Sequence, residues 1–123
     1  EARSRSQCKL EHQTRVMVRA LERSANAYGA TVDIEVTGMY EAYVLDEEAP
    51  IVRLVSDAMR SQGVTPLPGP TGGGSDANIL NAGGIPTVQI STGMAAVHTL
   101  DEHIALDDMA MAAQIILACV TTN

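Results

Sequence analysis

The spacing of apolar residues changes abruptly along the chain, and this change limits the folds open to it. From residue 6 to residue 28, apolar or small side chains recur at steps of three and four, which is typical of one face of an α-helix. Gly29 follows and is a favourable helix stop. Residues 31–36 then alternate apolar and polar, which predicts a β-strand with one buried face. With an extended start at residues 1–5, the pattern predicts a β-α-β unit.

The second half of the chain alternates helix signals with glycine- and proline-rich turns. Pro50 opens a predicted helix that ends at Gly63, because proline suits a first helical turn. Residues 64–74 hold three of the five prolines and four of the ten glycines, and they predict a loop. The remaining predicted elements are a short helix at 75–81, a strand at 85–90 and a helix at 107–120 capped by Asp107 or Asp108. The inner face predicted for that last helix comprises Ala110, Ala113, Ile116, Leu117 and Val120.

These elements predict a mixed α/β protein in two parts, residues 1–45 and residues 46–123. Charge supports the division, since residues 1–30 hold six basic and three acidic groups whereas the rest holds two basic and twelve acidic groups. The formal net charge of −7 disfavours binding to nucleic acid or to an anionic membrane. No apolar run is long enough to span a membrane. Cys8 and Cys119 are expected to be free thiols in a reducing compartment, which favours a cytoplasmic protein.

The first candidate site is the glycine-rich stretch Gly69–Asp76. Three consecutive glycines permit positive φ angles and let a bound group approach the backbone closely. Ser75 and Asp76 then open a helix whose free N–H groups favour an anion or a carbonyl oxygen. The stretch therefore predicts a backbone cradle for a substrate carboxylate or amide. A flexible turn with Ser75 as the helix cap accounts for the same residues, and the pattern alone does not decide between the two.

The second candidate site is the segment Thr92–His103, which follows the predicted strand at 85–90. Residues after such strands often belong to sites in layered α/β folds. The neutral imidazole of His98 is a good zinc ligand, and Glu102 could hold a metal or orient a neighbouring group. A surface histidine capped by local carboxylates is the alternative. A catalytic zinc needs about three protein ligands. The chain offers one persuasive ligand, so the others are expected outside these 123 residues.

Several motifs, in the right order, resemble the C-terminal signature of the M20 metallopeptidases, and most closely the peptidase T-like branch. The motifs are Gly72-Gly73-Gly74-Ser75-Asp76-Ala77-Asn78, Gly84-Ile85-Pro86-Thr87-Val88, Thr92-Gly93, and His98-Thr99 with Glu102. The opening Glu1-Ala2-Arg3-Ser4 resembles a strand of that family's lid domain, and Met39-Tyr40 with Tyr43 resembles the aromatic segment leaving the lid. The resemblance spans nearly the whole chain.

The resemblance implies an enzyme with a layered α/β catalytic domain, a two-zinc site and a smaller lid domain that often dimerises. Residues 1–45 would complete the lid/dimerisation domain, and residues 46–123 would complete the catalytic domain. His98 matches a zinc ligand, and the glycine loop lines the substrate cleft. The implied substrate-binding residues are Gly72, Gly73, Gly74, Ser75 and Arg3. The implied supporting residues are Asp76, Asn78 and Glu102.

No catalytic residue of the family matches a position in this chain. The family's His-x-Asp pair, bridging Asp, Glu-Glu pair and further carboxylate all belong N-terminal to Glu1. The resemblance therefore implies the last third of a zinc peptidase that cleaves short peptides, inactive as a fragment and homodimeric when intact. Two alternatives stay open: an M20-type amidohydrolase acting on acyl-amino acids, and a non-catalytic anion-binding module that uses the glycine loop.

Overall fold

The computed structural model describes residues 1–121, and its regular structure is helical. The helices are α1 (Gln7–Ala27), α2 (Pro50–Ser61), α3 (Asp76–Ala82) and α4 (Leu106–Thr121). All of them lie where apolar periodicity, prolines and glycines predict helices. The chain forms two compact units, one of residues 1–44 with 71–85, the other of residues 45–70 with the residues from 86 onward. The predicted domain boundary between residues 45 and 46 concerns the intact protein and stays a prediction.

Helices α1, α2 and α3 end in the same way, just before a glycine with a left-handed backbone. Gly29, Gly63 and Gly84 have φ values of +67°, +76° and +80°. The residue after each glycine donates its N–H to a carbonyl five residues earlier, as Ala30 does to Ala25 at 2.9 Å. This Schellman arrangement satisfies carbonyls that the helix end leaves unpaired. Glycine adopts the conformation without a steric penalty, and the helices therefore stop at these glycines.

Helix α1 presents the predicted apolar face, but that face is only half-buried. Leu10, Met17 and Val18 have intermediate exposure, and none of the residues described in α1 is fully buried. Leu21, on the same face, is 52% exposed. His12 lies off this face and is exposed, as predicted. Burial in this unit therefore contributes little to α1, whose C-terminal end is closed by the backbone bonds around Gly29.

Helices α2 and α4 pack against each other in the second unit. Their buried residues are Val55 and Ala58 on α2 and Ala112 and Ile115 on α4. The inner face predicted for α4 is wrong, since all of its residues are exposed: Ala110, Ala113, Ile116, Leu117 and Val120. Helix α4 is apolar on nearly every side, so its sequence period does not select one face. The packing against α2 selects the buried face instead.

The start of α4 also differs from the prediction. The helix begins at Leu106, and the carbonyl of Ala105 accepts the N–H of Met109 at 3.1 Å. Ala105 therefore holds the capping position. Asp107 and Asp108, both predicted as possible caps, lie inside the first turn, where their negative charges complement the helix dipole.

The predicted strands are not paired into a sheet in residues 1–121. Bridge pairing in this part of the chain is limited to one antiparallel bridge between Ala95 and His103. Residues 1–5, 31–36 and 85–90 contain no β-ladder. A strand is stable only beside a partner strand that takes up its N–H and C=O groups. The regular structure of residues 1–121 thus consists of helices joined by long connections. The layered α/β arrangement concerns the intact protein and stays a prediction.

None of the helices described in residues 1–121 is both long enough and apolar enough to cross a membrane. Cys8 and Cys119 are free thiols, as predicted. Several large apolar side chains stand almost fully exposed: Tyr28, Val44, Leu67, Leu100 and Leu106.

Candidate metal and substrate site

Residues 95–103 form a closed loop that carries His98 near its tip. The backbone N–H of Ala95 donates to the carbonyl of His103 at 2.9 Å, and the N–H of His103 donates back to Ala95 at 3.2 Å. Within the loop, Thr99 donates both its N–H and its hydroxyl to the carbonyl of Ala96, at 3.1 and 2.7 Å. The loop is therefore held in shape by its own hydrogen bonds.

The backbone of His98 lies in the left-handed region, with a φ of +66°. This conformation costs a non-glycine residue about 1–2 kcal/mol, so neighbouring contacts must hold it. The carboxylate of Glu102 accepts the N–H of His98 at 2.6 Å, and hydrogen bonds to a charged acceptor are shorter and stronger than those between neutral groups. Sequence reasoning missed this conformation, because most non-glycine residues do not adopt it.

The imidazole of His98 is exposed, and no hydrogen bond to it is found within residues 1–121. Its ring nitrogens are the type of ligand that zinc accepts. Nearby side chains do not complete a site, since no group of three His, Cys, Asp or Glu residues in the described chain could hold a metal ion. His98 therefore fits a zinc ion as one ligand of several.

His103 belongs to the framework of the same loop. Its Nδ1 lies 2.7 Å from the carbonyl oxygen of Asp101. Because a carbonyl oxygen only accepts, Nδ1 is the nitrogen that carries the proton. The residue also lines a largely apolar cavity of about 520 Å³, together with Met94, Met109 and Ile116. The hydrogen bond to Asp101 therefore orients the ring of His103 within its own loop.

The glycine loop Gly72–Gly74 does not use the positive φ angles that three consecutive glycines permit. The glycines of the described chain with positive φ are Gly29, Gly63, Gly84 and Gly93. A side chain at Gly72 would meet open space, and a Cβ at Gly73 would make an ordinary contact of 3.7 Å with Thr71 Oγ1. At Gly74, the ring of Tyr40 already fills the position of a Cβ. Close packing against Tyr40, and not backbone conformation, therefore favours glycine at position 74.

Ser75 and Asn78 close the start of α3 with a capping box. Ser75 Oγ accepts the N–H of Ala77 at 3.2 Å, and Asn78 Oδ1 accepts the N–H of Ser75 at 3.0 Å. Asn78 is buried, and its Nδ2 donates to the carbonyl of Glu41 at 2.7 Å. These bonds tie the loop and the helix to a segment 37 residues earlier. Asp76 is exposed in the first turn, where its charge complements the helix dipole.

Four backbone N–H groups between residues 73 and 78 are already used by local hydrogen bonds. In addition to the capping box, the N–H of Gly73 donates to Thr71 Oγ1 at 3.2 Å, and the N–H of Asn78 donates to the carbonyl of Ser75 at 3.0 Å. An anion cradle needs several N–H groups turned toward the ligand. The observed bonds therefore weigh against an anion site at the start of α3.

We expect Asn78→Ala to destabilise the protein by about 1–3 kcal/mol, because it removes part of the cap and leaves the Glu41 carbonyl without its buried donor. Chemical denaturation measures the change. Asn78→Asp keeps an acceptor oxygen for the N–H of Ser75 but replaces the donor, so we expect it to be at least as destabilising. An Asp variant of wild-type stability would mean that the cap matters and the bond to Glu41 does not.

Arg3, the predicted contact for a substrate carboxylate, is paired with Glu1. Its guanidinium donates a hydrogen bond to the Glu1 carboxylate, and both side chains are more than half exposed. This hydrogen bond holds the pKa of the Glu1 carboxyl below its ordinary value. A substrate carboxylate would have to displace Glu1 in order to pair with Arg3.

The site residues fall in both compact units. Arg3 and the loop Gly72–Asn78 belong to the first unit, and His98 with Glu102 belongs to the second. Within the first unit, the structure brings the glycine loop against Tyr40. The aromatic motif Met39-Tyr40-x-x-Tyr43 was the available signal for that contact, although the sequence does not show which residue the ring touches.

The chain matches the model of Peptidase family M20/M25/M40 over residues 6–122. This chain belongs to that family. The family resemblance drawn from the sequence motifs is confirmed.

Relatives of this M20 chain include peptidases and one protein without an assigned activity. It is 30% identical to the uncharacterized protein YqjE of Bacillus subtilis, over 98% of this chain and 32% of that protein. It is 32% identical to peptidase T of Exiguobacterium sibiricum, over 89% of this chain and 28% of the relative. The crystal structure of aminopeptidase PepT from Bacillus cereus matches 94% of this chain and 31% of its own, with a TM-score of 0.72 and 33% identity. The chain thus spans about a third of the length of these relatives.

Proposed function

We propose that this chain is part of a zinc-dependent M20 peptidase that removes the N-terminal residue from short peptides. The observation that carries the proposal is the match to aminopeptidase PepT, which extends over 94% of this chain at 33% identity. A shared fold alone does not establish a shared reaction. The proposal therefore also depends on His98, whose exposed imidazole is suited to a metal ion.

In this proposal, His98 is one ligand of a two-zinc site, and the remaining ligands come from the rest of the intact protein. The bound metal would polarise the scissile carbonyl and lower the pKa of a water molecule. His98 supplies a neutral nitrogen lone pair from a loop that the Ala95–His103 bridge closes. The bonds that shape the loop are its own, so we expect the loop to lose little conformational entropy when a metal binds.

The glycine loop is proposed to lie along the backbone of the bound peptide. Gly72 and Gly73 have no side chains to keep a substrate away, and a Cβ at Gly72 would meet open space. The hydroxyl and the N–H of Ser75 are used in the capping box, and its carbonyl accepts the N–H of Asn78, so Ser75 is proposed to border the bound peptide and to hold the loop beside it. Asp76 and Asn78 support the start of α3, and Arg3 would pair with the substrate carboxylate after exchange with Glu1.

The proposed organisation of the intact protein follows the family resemblance. Residues 1–45 would complete a lid domain through which two copies dimerise, and residues 46–123 would complete the catalytic domain. The free thiols of Cys8 and Cys119 support a location in the cytoplasm, because that compartment keeps thiols reduced. Without the missing ligands, we expect the isolated chain to be inactive.

A panel of substrates tests the proposed reaction on the intact, zinc-loaded protein. We expect release of the N-terminal residue from tripeptides, with kcat/KM exceeding that for N-acetyl amino acids by at least about tenfold, or about 1.4 kcal/mol in the barrier. Blocking the amino terminus of the same tripeptides by acetylation is the matched control and should lower the rate. Faster hydrolysis of the acyl-amino acids would instead establish the amidohydrolase alternative.

A further inference from the structure

The contact between Glu102 and the backbone of His98 has a consequence for the metal site, provided that the proposed role of His98 holds. We propose that Glu102 is a positioning residue, which holds the backbone of His98 in its left-handed conformation and so aims the imidazole. Glu102 does this by accepting the N–H of His98 at 2.6 Å. In this proposal the carboxylate acts on the metal through His98 and is not itself a ligand.

The geometry of the loop supports this assignment. The Ala95–His103 bridge brings the two ends of the loop together and places Glu102 next to the closing pair. The N–H of Glu102 donates to the carbonyl of Thr99 at 3.3 Å. This bond holds the backbone of Glu102, whose side chain extends back to the N–H of His98. His98 has a φ of +66°, a conformation that persists in a non-glycine residue only where neighbouring contacts hold it. Glu102 supplies such a contact through the N–H of His98.

Three substitutions separate a hydrogen-bond acceptor from a metal ligand or a simple negative charge. Glu102→Gln keeps an oxygen at the same reach and loses the charge. Glu102→Asp keeps the charge, but its side chain is one methylene shorter. Glu102→Leu removes both the acceptor and the charge. If Glu102 acts by accepting the N–H of His98, Glu102→Gln will keep zinc affinity and Glu102→Asp will lose it. If Glu102 acts as a ligand or as a negative charge, Glu102→Asp will keep more zinc affinity than Glu102→Gln.

Asp101→Asn is the matched control. It removes one negative charge from the adjacent, exposed position, whose side chain does not accept the His98 N–H. The contacts that Asp101 makes within the loop use its backbone, as its N–H donates to Thr99 Oγ1 and its carbonyl accepts from His103. If local negative charge determines zinc affinity, both Asp101→Asn and Glu102→Gln should therefore weaken zinc binding.

The experiment measures the zinc dissociation constant of the intact protein by competition with a chromogenic chelator, alongside the melting temperature of the metal-free protein. We expect Glu102→Asp and Glu102→Leu to weaken zinc binding about 10–100-fold, the usual cost of losing a partner that orients a ligand. Glu102→Gln and Asp101→Asn should stay within a few-fold of wild type. If Glu102→Leu unfolds the metal-free protein, the comparison of Gln with Asp decides the result.

Equal losses for Gln and Leu, or full affinity in all three Glu102 variants, would overturn the positioning role. His98→Ala in the same titration separates this inference from the proposed function. Unchanged zinc affinity in His98→Ala would refute the metal-binding role of His98 itself. A loss in His98→Ala without any loss in Glu102→Asp and Glu102→Leu would refute only the role of Glu102.

Discussion

Replacing His98 with alanine in the intact protein is expected to lower bound metal and turnover together. The change removes a ligand, so we expect kcat/KM to fall by at least about a hundredfold, since the loss of a partner that merely orients a ligand already costs about 10–100-fold. Metal affinity limits the activity of such a variant, and added zinc should therefore restore part of the rate. Metal analysis of the purified protein beside steady-state kinetics measures both quantities.

His12→Ala is the control for the loss of an imidazole. His12 is exposed on α1, away from the half-buried face of that helix. We expect this variant to keep both its metal content and its rate. A His98→Ala protein with wild-type zinc content and turnover would contradict the metal-binding role, whereas a loss of rate with full zinc content would point to a contact with substrate.

The helices could be predicted from the sequence because their signals are local. Apolar spacing, Pro50 at the start of α2 and the glycines that follow α1 and α2 all act within a turn or two of the chain. The structure places the left-handed backbone at Gly29 and Gly63, where the sequence predicts the stops. These features do not depend on which part of the protein lies nearby.

The strands and the buried face of α4 could not be predicted reliably, because both depend on partners. Alternation in residues 31–36 indicates a preference for a strand, but a strand also needs a neighbour to pair with. Helix α4 is apolar on most sides, so its contact with α2 decides which residues are buried. Ala112 and Ile115 are buried, whereas Ile116 and Leu117 are exposed. The sequence pattern contains no information about that choice.

The candidate site shows the same division between local and tertiary causes. The capping box of Ser75 and Asn78 spans four residues, and the sequence predicts Ser75 as a cap. The left-handed His98 donates its N–H to Glu102, four residues later, and no glycine signals that conformation. The packing of Tyr40 on Gly74 joins residues that are far apart in the chain, so the motif indicated both residues without showing their contact.

Gly74→Ala is expected to be the most damaging substitution in the glycine loop. The new Cβ would overlap the ring of Tyr40, and overpacking of this kind typically costs about 1–3 kcal/mol. Gly72→Ala is the matched control, because its Cβ would meet open space and its φ is not positive. We expect its free energy of unfolding to stay within about 0.5 kcal/mol of wild type. Denaturant unfolding of the intact protein compares the two variants.

The double variant Tyr40→Ala/Gly74→Ala identifies the cause of the destabilisation. If the ring is what excludes a side chain at position 74, adding Gly74→Ala to Tyr40→Ala should cost little, and the two changes should depart from additivity by about 1 kcal/mol or more. Additive effects would show that Gly74→Ala acts on the backbone and not through Tyr40. Equal stabilities of Gly72→Ala and Gly74→Ala would mean that the ring of Tyr40 can move aside without cost. Packing would then not explain the glycine at position 74.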